Sequence, residues 1–169
     1  MARFSATVES QTAQLAGVPV TVTYNGYFAA VVAGASANFK LRRLIIGVRA
    51  GASVPTSQQM TIGVYRQTAR TATSGFTTAT GIALDPRSVA SAISGVDITT
   101  GPTAGTGPTI AANAFQKFTF NTQSAMDIPA EFLEEWICDQ GTANGIALVN
   151  LGNALPAAHL FTVAAEWEE

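Results

Sequence analysis

Alternation of apolar and polar side chains dominates this chain. From Arg3 to Glu9, Phe4, Ala6 and Val8 face one way and Ser5, Thr7 and Glu9 the other, the period-2 pattern of a strand with one buried face. The same pattern predicts a strand over Val18–Tyr24, with Pro19 at its start or at an edge because proline cannot donate to a ladder. Asn25-Gly26 then predicts a tight hairpin, since a type I′ turn needs positive φ at both central residues. Tyr27 to Val32 continues as a strand, and Gly34 to Asn38 loosens the chain.

The stretch Phe39–Gln67 carries the two strongest runs. Leu44-Ile45-Ile46-Gly47-Val48 is apolar on both faces, which predicts a place near the centre of a packed sheet. Met60, Ile62 and Val64 alternate with Thr61, Gly63 and Tyr65. The Gly/Pro/Ser-rich loop Ala50–Ser57 between them is too short for a helical crossover, so the two runs are expected to pair antiparallel. Beyond Gln67, Phe76–Ala83 reads as a weak strand, Leu84-Asp85-Pro86-Arg87 as a turn and Ser88–Ile93 as one short helical turn. Gly101–Pro108 is neither strand nor helix, because its glycines and prolines interrupt both.

Phe115–Asn121 is again a strand, with Phe118 and Phe120 on one face. Pro129 to Ile137 fits helical spacing, yet Glu135–Asp139 also reads as a strand; a short turn leading into a strand is preferred. Ile146–Leu151 is a buried strand. The closing strand is His159–Trp167, with Phe161, Val163, Ala165 and Trp167 opposite Leu160, Thr162, Ala164 and Glu166. Eight to ten strands with no helix long enough for a parallel connection predict one domain over residues 1–169. It is expected to be an all-β, antiparallel β-sandwich of jelly-roll type with long Gly/Pro/Thr-rich loops and little helix.

Composition adds a constraint on the surface. Of 169 residues, 47% are hydrophobic and only 12% charged, about half the usual quarter for a globular chain. Such a surface is built from small neutral side chains, or is covered by other subunits, because those side chains cost little to desolvate when surfaces meet. The net charge of −2 supplies no field for nucleic acid. No apolar run reaches the ~20 residues of a membrane helix. Met1-Ala2-Arg3-Phe4 leads into a strand rather than a signal sequence, so a soluble protein made without export is expected.

Candidate chemistry is sparse. The lone Cys138 lies in Trp136-Ile137-Cys138 and reads as a buried thiol acting as a small hydrophobe. The lone His159 has no Gly-x-Ser-x-Gly elbow to serve and reads as a hydrogen-bonded histidine at a strand start. Glu131, Glu134 and Glu135 punctuate an apolar segment, and Glu166, Glu168 and Glu169 close the sequence; a glycosidase pair is the weaker reading of both. No metal-ligand spacing occurs, so neither catalytic residues, nor a metal, nor a cofactor is expected. Trp136 and Trp167 are either a sugar-stacking platform or, more in keeping with apolar strands, core or interface anchors. Arg42, Arg43, Arg49, Arg66 and Arg70 concentrate positive charge in one third of the chain, and carboxylates concentrate in the last quarter. Meeting across a subunit boundary they would set assembly register; otherwise they are solvated charge on strand faces.

The strand beginning almost at Met1, the low charge, the Ala/Thr/Gly-rich loops and the ending from Gly141-Thr142-Ala143-Asn144-Gly145-Ile146-Ala147-Leu148-Val149-Asn150 through His159-Leu160-Phe161 to Glu166-Trp167-Glu168-Glu169 carry a resemblance. In these the chain resembles head decoration (cement) proteins of tailed bacteriophages. The resemblance implies a homotrimer on the outer capsid surface of the virion, made in the host cytoplasm and clamping subunits of the major capsid protein. It carries over no individual binding residue. Candidate assembly contacts are Arg3, Phe4, Arg42, Arg43, Arg49, Arg66, Arg70, Trp136 and Trp167, with the terminal strand Ala2–Glu9 and the loop Gly101–Pro108 as flexible arms. A carbohydrate- or receptor-binding module of a tail or fibre is the alternative, with Tyr27, Tyr65 and Phe76 as its candidate aromatics; a hydrolase using Glu135 or His159 is a third.

Overall fold

The structure, a computed structural model, describes residues 1–10, 26–50, 54, 56–70, 76–99, 108–129, 136–153, 155 and 159–169. These form thirteen strands and no helix. The first sheet contains β1 (Arg3–Glu9), β3 (Phe39–Ala50), β6 (Ile82–Ala83), β10 (Met126–Ile128), β11 (Ile137–Cys138) and β13 (His159–Glu168). The second contains β2 (Tyr27–Val32), β4 (Gln59–Ala69), β5 (Phe76–Ala79), β7 (Gly95–Thr99), β8 (Thr109–Ile110), β9 (Gln116–Asn121) and β12 (Gly145–Asn150). All pairings are antiparallel, and the two sheets pack face to face as a β-sandwich.

The winding is that of a jelly roll. In space the first sheet runs β10-β3-β13-β1 and the second β9-β4-β12-β2. Consecutive members of this set of eight switch sheets except at the step from β4 to β9, which are neighbours. Strands β5 to β8 are an insertion at that step. Of these, β7 and β5 extend the second sheet beyond β2, and β6 extends the first beyond β1.

The core is the meeting of the two inner faces. Phe4, Leu41, Leu44, Ile46, Phe161, Val163 and Trp167 of the first sheet belong to one buried cluster with Phe28, Met60, Ile62, Val64, Ile146 and Leu148 of the second. Each such side chain contributes about 1.5–3 kcal/mol by leaving water. Phe28 and Phe161 bridge the sheets with ring centroids 5.4 Å apart. A second apolar layer, Tyr27, Ala30, Val32, Tyr65, Ile110, Ala147 and Val149, lies on the opposite face of the second sheet.

Several sequence expectations are corrected. The runs in Phe39–Gln67 do not pair with each other, because β3 and β4 lie in opposite sheets. The two strands stand in sheets packed ~10 Å apart, and each finds its partner within its own sheet. For β3 that partner is β13, in register from His159↔Ala50 to Glu168↔Lys40. Burial on both faces belongs to β2 and β12 rather than to β3, whose Ile45 and Val48 are only half-buried. Ser88–Ile93 is not helical; it is irregular chain following a turn closed by Ser88 N–H on Asp85 O at 2.9 Å. The strand Val18–Tyr24, most of the loop Gly101–Pro108 and Glu131, Glu134 and Glu135 lie outside the described residues.

The irregular segment after that turn packs against one glycine. A Cβ on Gly34 would fall well inside van der Waals contact of the Ala92 carbonyl. Ser94 N–H and its Oγ are held close by, on Val32 O at 3.1 Å and Ala33 O at 2.9 Å.

Candidate functional site

The predicted charged residues collect on the outer face of the first sheet, and one irregularity explains how. Along β3, Glu166 pairs with Arg43 but the next residue, Trp167, pairs with Leu41, so Arg42 is an extra residue in the ladder. A bulge of this kind turns two successive side chains away from the core. Leu41 and Leu44 therefore both point inward while Arg42 and Arg43 both stay on the outer side.

Arg42 donates to Glu168 at 2.6 Å and Arg3 to the other oxygen of the same carboxylate at 3.0 Å. Arg43 makes a two-pronged pair with Asp127 at 3.0 and 2.8 Å and lies 3.5 Å from Glu166. Arg49 pairs with Glu9 at 3.3 Å. On the second sheet, Arg70 reaches the buried Asp97 at 2.9 Å, which also accepts from Thr78. Arg66 donates to the Ile137 carbonyl and sits 5.0 Å over the Phe115 ring. The Arg-rich third and the carboxylate-rich last quarter thus meet inside one subunit, across β3, β13, β1 and β10.

Glu168 is the most enclosed carboxylate on the outer face of the first sheet, with 8% of its side chain exposed. Hydrogen bonding from Arg42 holds its carboxyl below the usual range; burial opposes the shift, and Arg3 adds to it. A carboxyl whose folded pKa lies below its unfolded value of about 4.3 stabilises the fold fully above that value, and the contribution is lost as pH falls through the folded pKa. Glu168→Gln is therefore expected to lower the melting temperature at neutral pH, with the gap to the parent closing in acid. Thermal melts across pH 7 to about 3 check this; a gap independent of pH would refute it.

The aromatic candidates are core residues. Phe4 and Trp167 face each other across the β1–β13 ladder, stacked at 6.1 Å, and are 1% and 0% exposed. Trp136 is buried against Phe115 and Phe118, with ring centroids 5.3 and 6.0 Å away. None of the three side chains is on the surface of a folded subunit. The terminal strand is equally committed: β1 pairs with β13 along its whole length and buries Phe4, Ala6 and Val8, so it is no flexible arm. Tyr27 and Tyr65 are buried as well; the side chain of Phe76 lies outside those described.

His159 opens β13, is fully buried, and lies 2.9 Å from Thr56 O through Nε2, as a hydrogen-bonded histidine at a strand start. Burial pushes the Cys138 thiol up to about 11, so it is protonated and unreactive at neutral pH. Far from being loose at the end of the sequence, Glu169 accepts from Trp167 Nε1 at 2.8 Å, from Ala92 N–H at 2.8 Å and from Ser91 Oγ. Among the described residues no three metal-ligating side chains come together.

A different surface stands out. Ile82, Leu84 and Val89 are 72%, 51% and 79% exposed, on a stretch that carries the outermost described strand of the first sheet. The stretch is fixed from several sides. Ile82 and Ala83 pair with Ser5 and Phe4, Leu84 N–H bonds Arg3 O at 2.9 Å, and Arg87 clasps Asp85 at 3.1 and 3.0 Å. Gly81 lies so close to the Trp167 ring that a Cβ there would clash. Sequence reading passed over these residues because an Asp-Pro turn dominates the segment. Their signal was three large aliphatics flanking a turn, with no alternating partner face. Comparison of the chain with protein-family models and with curated proteins yields no match.

Proposed function

We propose that this protein is a non-enzymatic virion structural protein that decorates a phage capsid and stabilises it as a trimer bridging subunits of the major capsid protein on the outer surface. The jelly-roll winding supports the reading by analogy, since capsid domains are among the users of that architecture. The observation that carries it is the apolar ledge of Ile82, Leu84 and Val89. Three large aliphatics exposed within eight residues of one another are the kind of surface that protein–protein contact uses when they form one patch. Over the chain as a whole only 12% of residues are charged, and small neutral side chains cost little to desolvate. Repetition by symmetry turns weak single contacts into a persistent coat.

Light scattering, followed by cosedimentation with capsids lacking the protein, tests the reading. A trimer that cosediments supports it; a monomer that ignores capsids overturns it. The double variant Ile82→Asp, Val89→Asp should lose assembly while changing fold stability by no more than about 0.5 kcal/mol, as exposed sites do. Loss of the trimer assigns the ledge to the neighbouring copy, and loss of cosedimentation alone assigns it to the capsid. A variant that assembles and cosediments like the parent removes the ledge from the proposal.

A further inference from the structure

The side of the sandwich away from the ledge ends in two open edges. β6 closes one end of the first sheet and β10 the other, while β9 lies outermost along the first half of β4 in the second. β9 is paired with β4 over its whole length, Gln116–Asn121, and carries no proline to blunt its outer edge. Thr122 N–H bonds Gln58 O at 2.9 Å, which sets the phase of this ladder. In antiparallel pairing the backbone groups of alternate residues point to opposite sides. Gln116, Phe118 and Phe120 therefore address β4, and Lys117, Thr119 and Asn121 turn their N–H groups outward. The backbone groups of Lys117 and Thr119 meet no partner on that side among the described residues.

Beside this edge an apolar cleft of about 410 Å³ opens between β9 and β10. Phe118, Phe120, Met126 and Ile128 line it, and the two phenylalanines are only half-buried. A strand added to β9 would send every second side chain toward that cleft and the others to the outer face, where Lys117 and Thr119 are exposed. Free backbone groups along an edge, next to room for alternate side chains, are what strand addition uses.

What fits this edge is the edge itself. Gln116-Lys117-Phe118-Thr119-Phe120-Asn121 is nearly symmetric about Thr119. An antiparallel partner of the same sequence, centred there, sets Phe118 opposite Phe120 twice and Lys117 opposite Asn121. Cross-strand aromatic pairs favour pairing, and like charges directly opposite disfavour it. Centring on Lys117 would bring two ammonium groups face to face, and centring on Phe118 or Phe120 would keep one aromatic pair instead of two. We infer that β9 is a self-pairing edge. Two copies of this chain join antiparallel, Thr119 facing Thr119 across a two-fold axis, so that the second sheet continues from one subunit into the next and the phenylalanines of each copy close the cleft of the other. The contact lies at the opposite end of the sheets from Ile82, Leu84 and Val89, so it does not rest on the assembly reading.

Added cysteines test the register, the native Cys138 being buried. Across the axis the two Thr119 Cα atoms would stand about 5.5 Å apart, within the ~7 Å that a disulfide spans, and the two Lys117 Cα atoms roughly 13 Å apart. With oxidised glutathione, Thr119→Cys is expected to give a disulfide-linked dimer on a non-reducing gel, and Lys117→Cys about tenfold less of it. Equal crosslinking of the two variants, or none in either, overturns the inference. In the Ile82→Asp, Val89→Asp background, where the ledge is removed, sedimentation velocity should find a dimer. Adding Thr119→Pro there deletes an outward donor and no bond to β4, and should weaken the dimer by about tenfold or more. A folded Thr119→Pro chain that dimerises as well as that background overturns it too; if the variant does not fold, the crosslinking decides. Protection of the Lys117 and Thr119 amides from hydrogen exchange only when capsids are added, with no dimer in their absence, overturns self-pairing and gives the edge to a strand of another protein.

Discussion

A chain lacking residues 1–9 is expected to lose cooperative unfolding altogether. The deletion removes Phe4, Ala6 and Val8 from the core. It also strips β13 of its partner from Arg3↔Glu168 to Glu9↔Thr162, and β6 of the strand it hangs on. Phe4 and Val8 alone account for about 3–6 kcal/mol of burial, against a total stability of about 5–15 kcal/mol for an ordinary domain. Arg3 and Glu9 leave with the strand, so Glu168 loses one of its two cations and Arg49 its carboxylate. Near-ultraviolet circular dichroism and a urea titration check this. A sharp transition with near-native side-chain signal would show that β1 is an arm after all, and capsid binding by the truncated chain would then become the informative measurement.

Trp167→Ala should be the most damaging single truncation. The ring is fully buried, stacks on Phe4, closes against Gly81 and donates through Nε1 to Glu169. Removing it leaves a cavity that the two flanking ladders cannot collapse, at a cost of about 3–5 kcal/mol, or a fall of roughly 10 °C in melting temperature for a chain of this length. It also frees Glu169, whose carboxylate holds Ser91 and Ala92, so the ledge carrying Ile82, Leu84 and Val89 loses its backing. Trp167→Phe keeps most of the volume but not the donor, and should recover more than half of the loss. A Phe variant as unstable as the Ala variant would show that the hydrogen bond outweighs the packing.

Long strands with one wet face were legible in the sequence because alternation reports burial directly: β1 and β13 follow it almost residue for residue. Strands of two to five residues were not. In β7 only Val96 and Ile98 carry a pattern, and the residue between them, Asp97, is buried by an ion pair that no local rule foresees. β8 and β10 are shorter than one alternation cycle can identify. Pairing of β3 with β4 was misjudged because loop length alone does not say whether a chain returns to the same sheet or crosses to the facing one. Among site residues, the meeting of basic and acidic segments was visible in outline, but its location inside one subunit depends on the Arg42 bulge, whose trace is only the doubled polar step Arg42-Arg43 between Leu41 and Leu44.

β13 is the last of the described strands to leave the ribosome, yet it fills the middle of the first sheet, between β1 and β3. Until it arrives, both of those strands present bare backbone edges to solvent. The order of synthesis therefore sets a hazard: pausing before β13 emerges prolongs a state with two strands open to pairing with other chains. Its many long-range pairings make closure slow on topological grounds as well. Yield should respond more to temperature and to chaperone supply during expression than the stability of the finished protein would suggest.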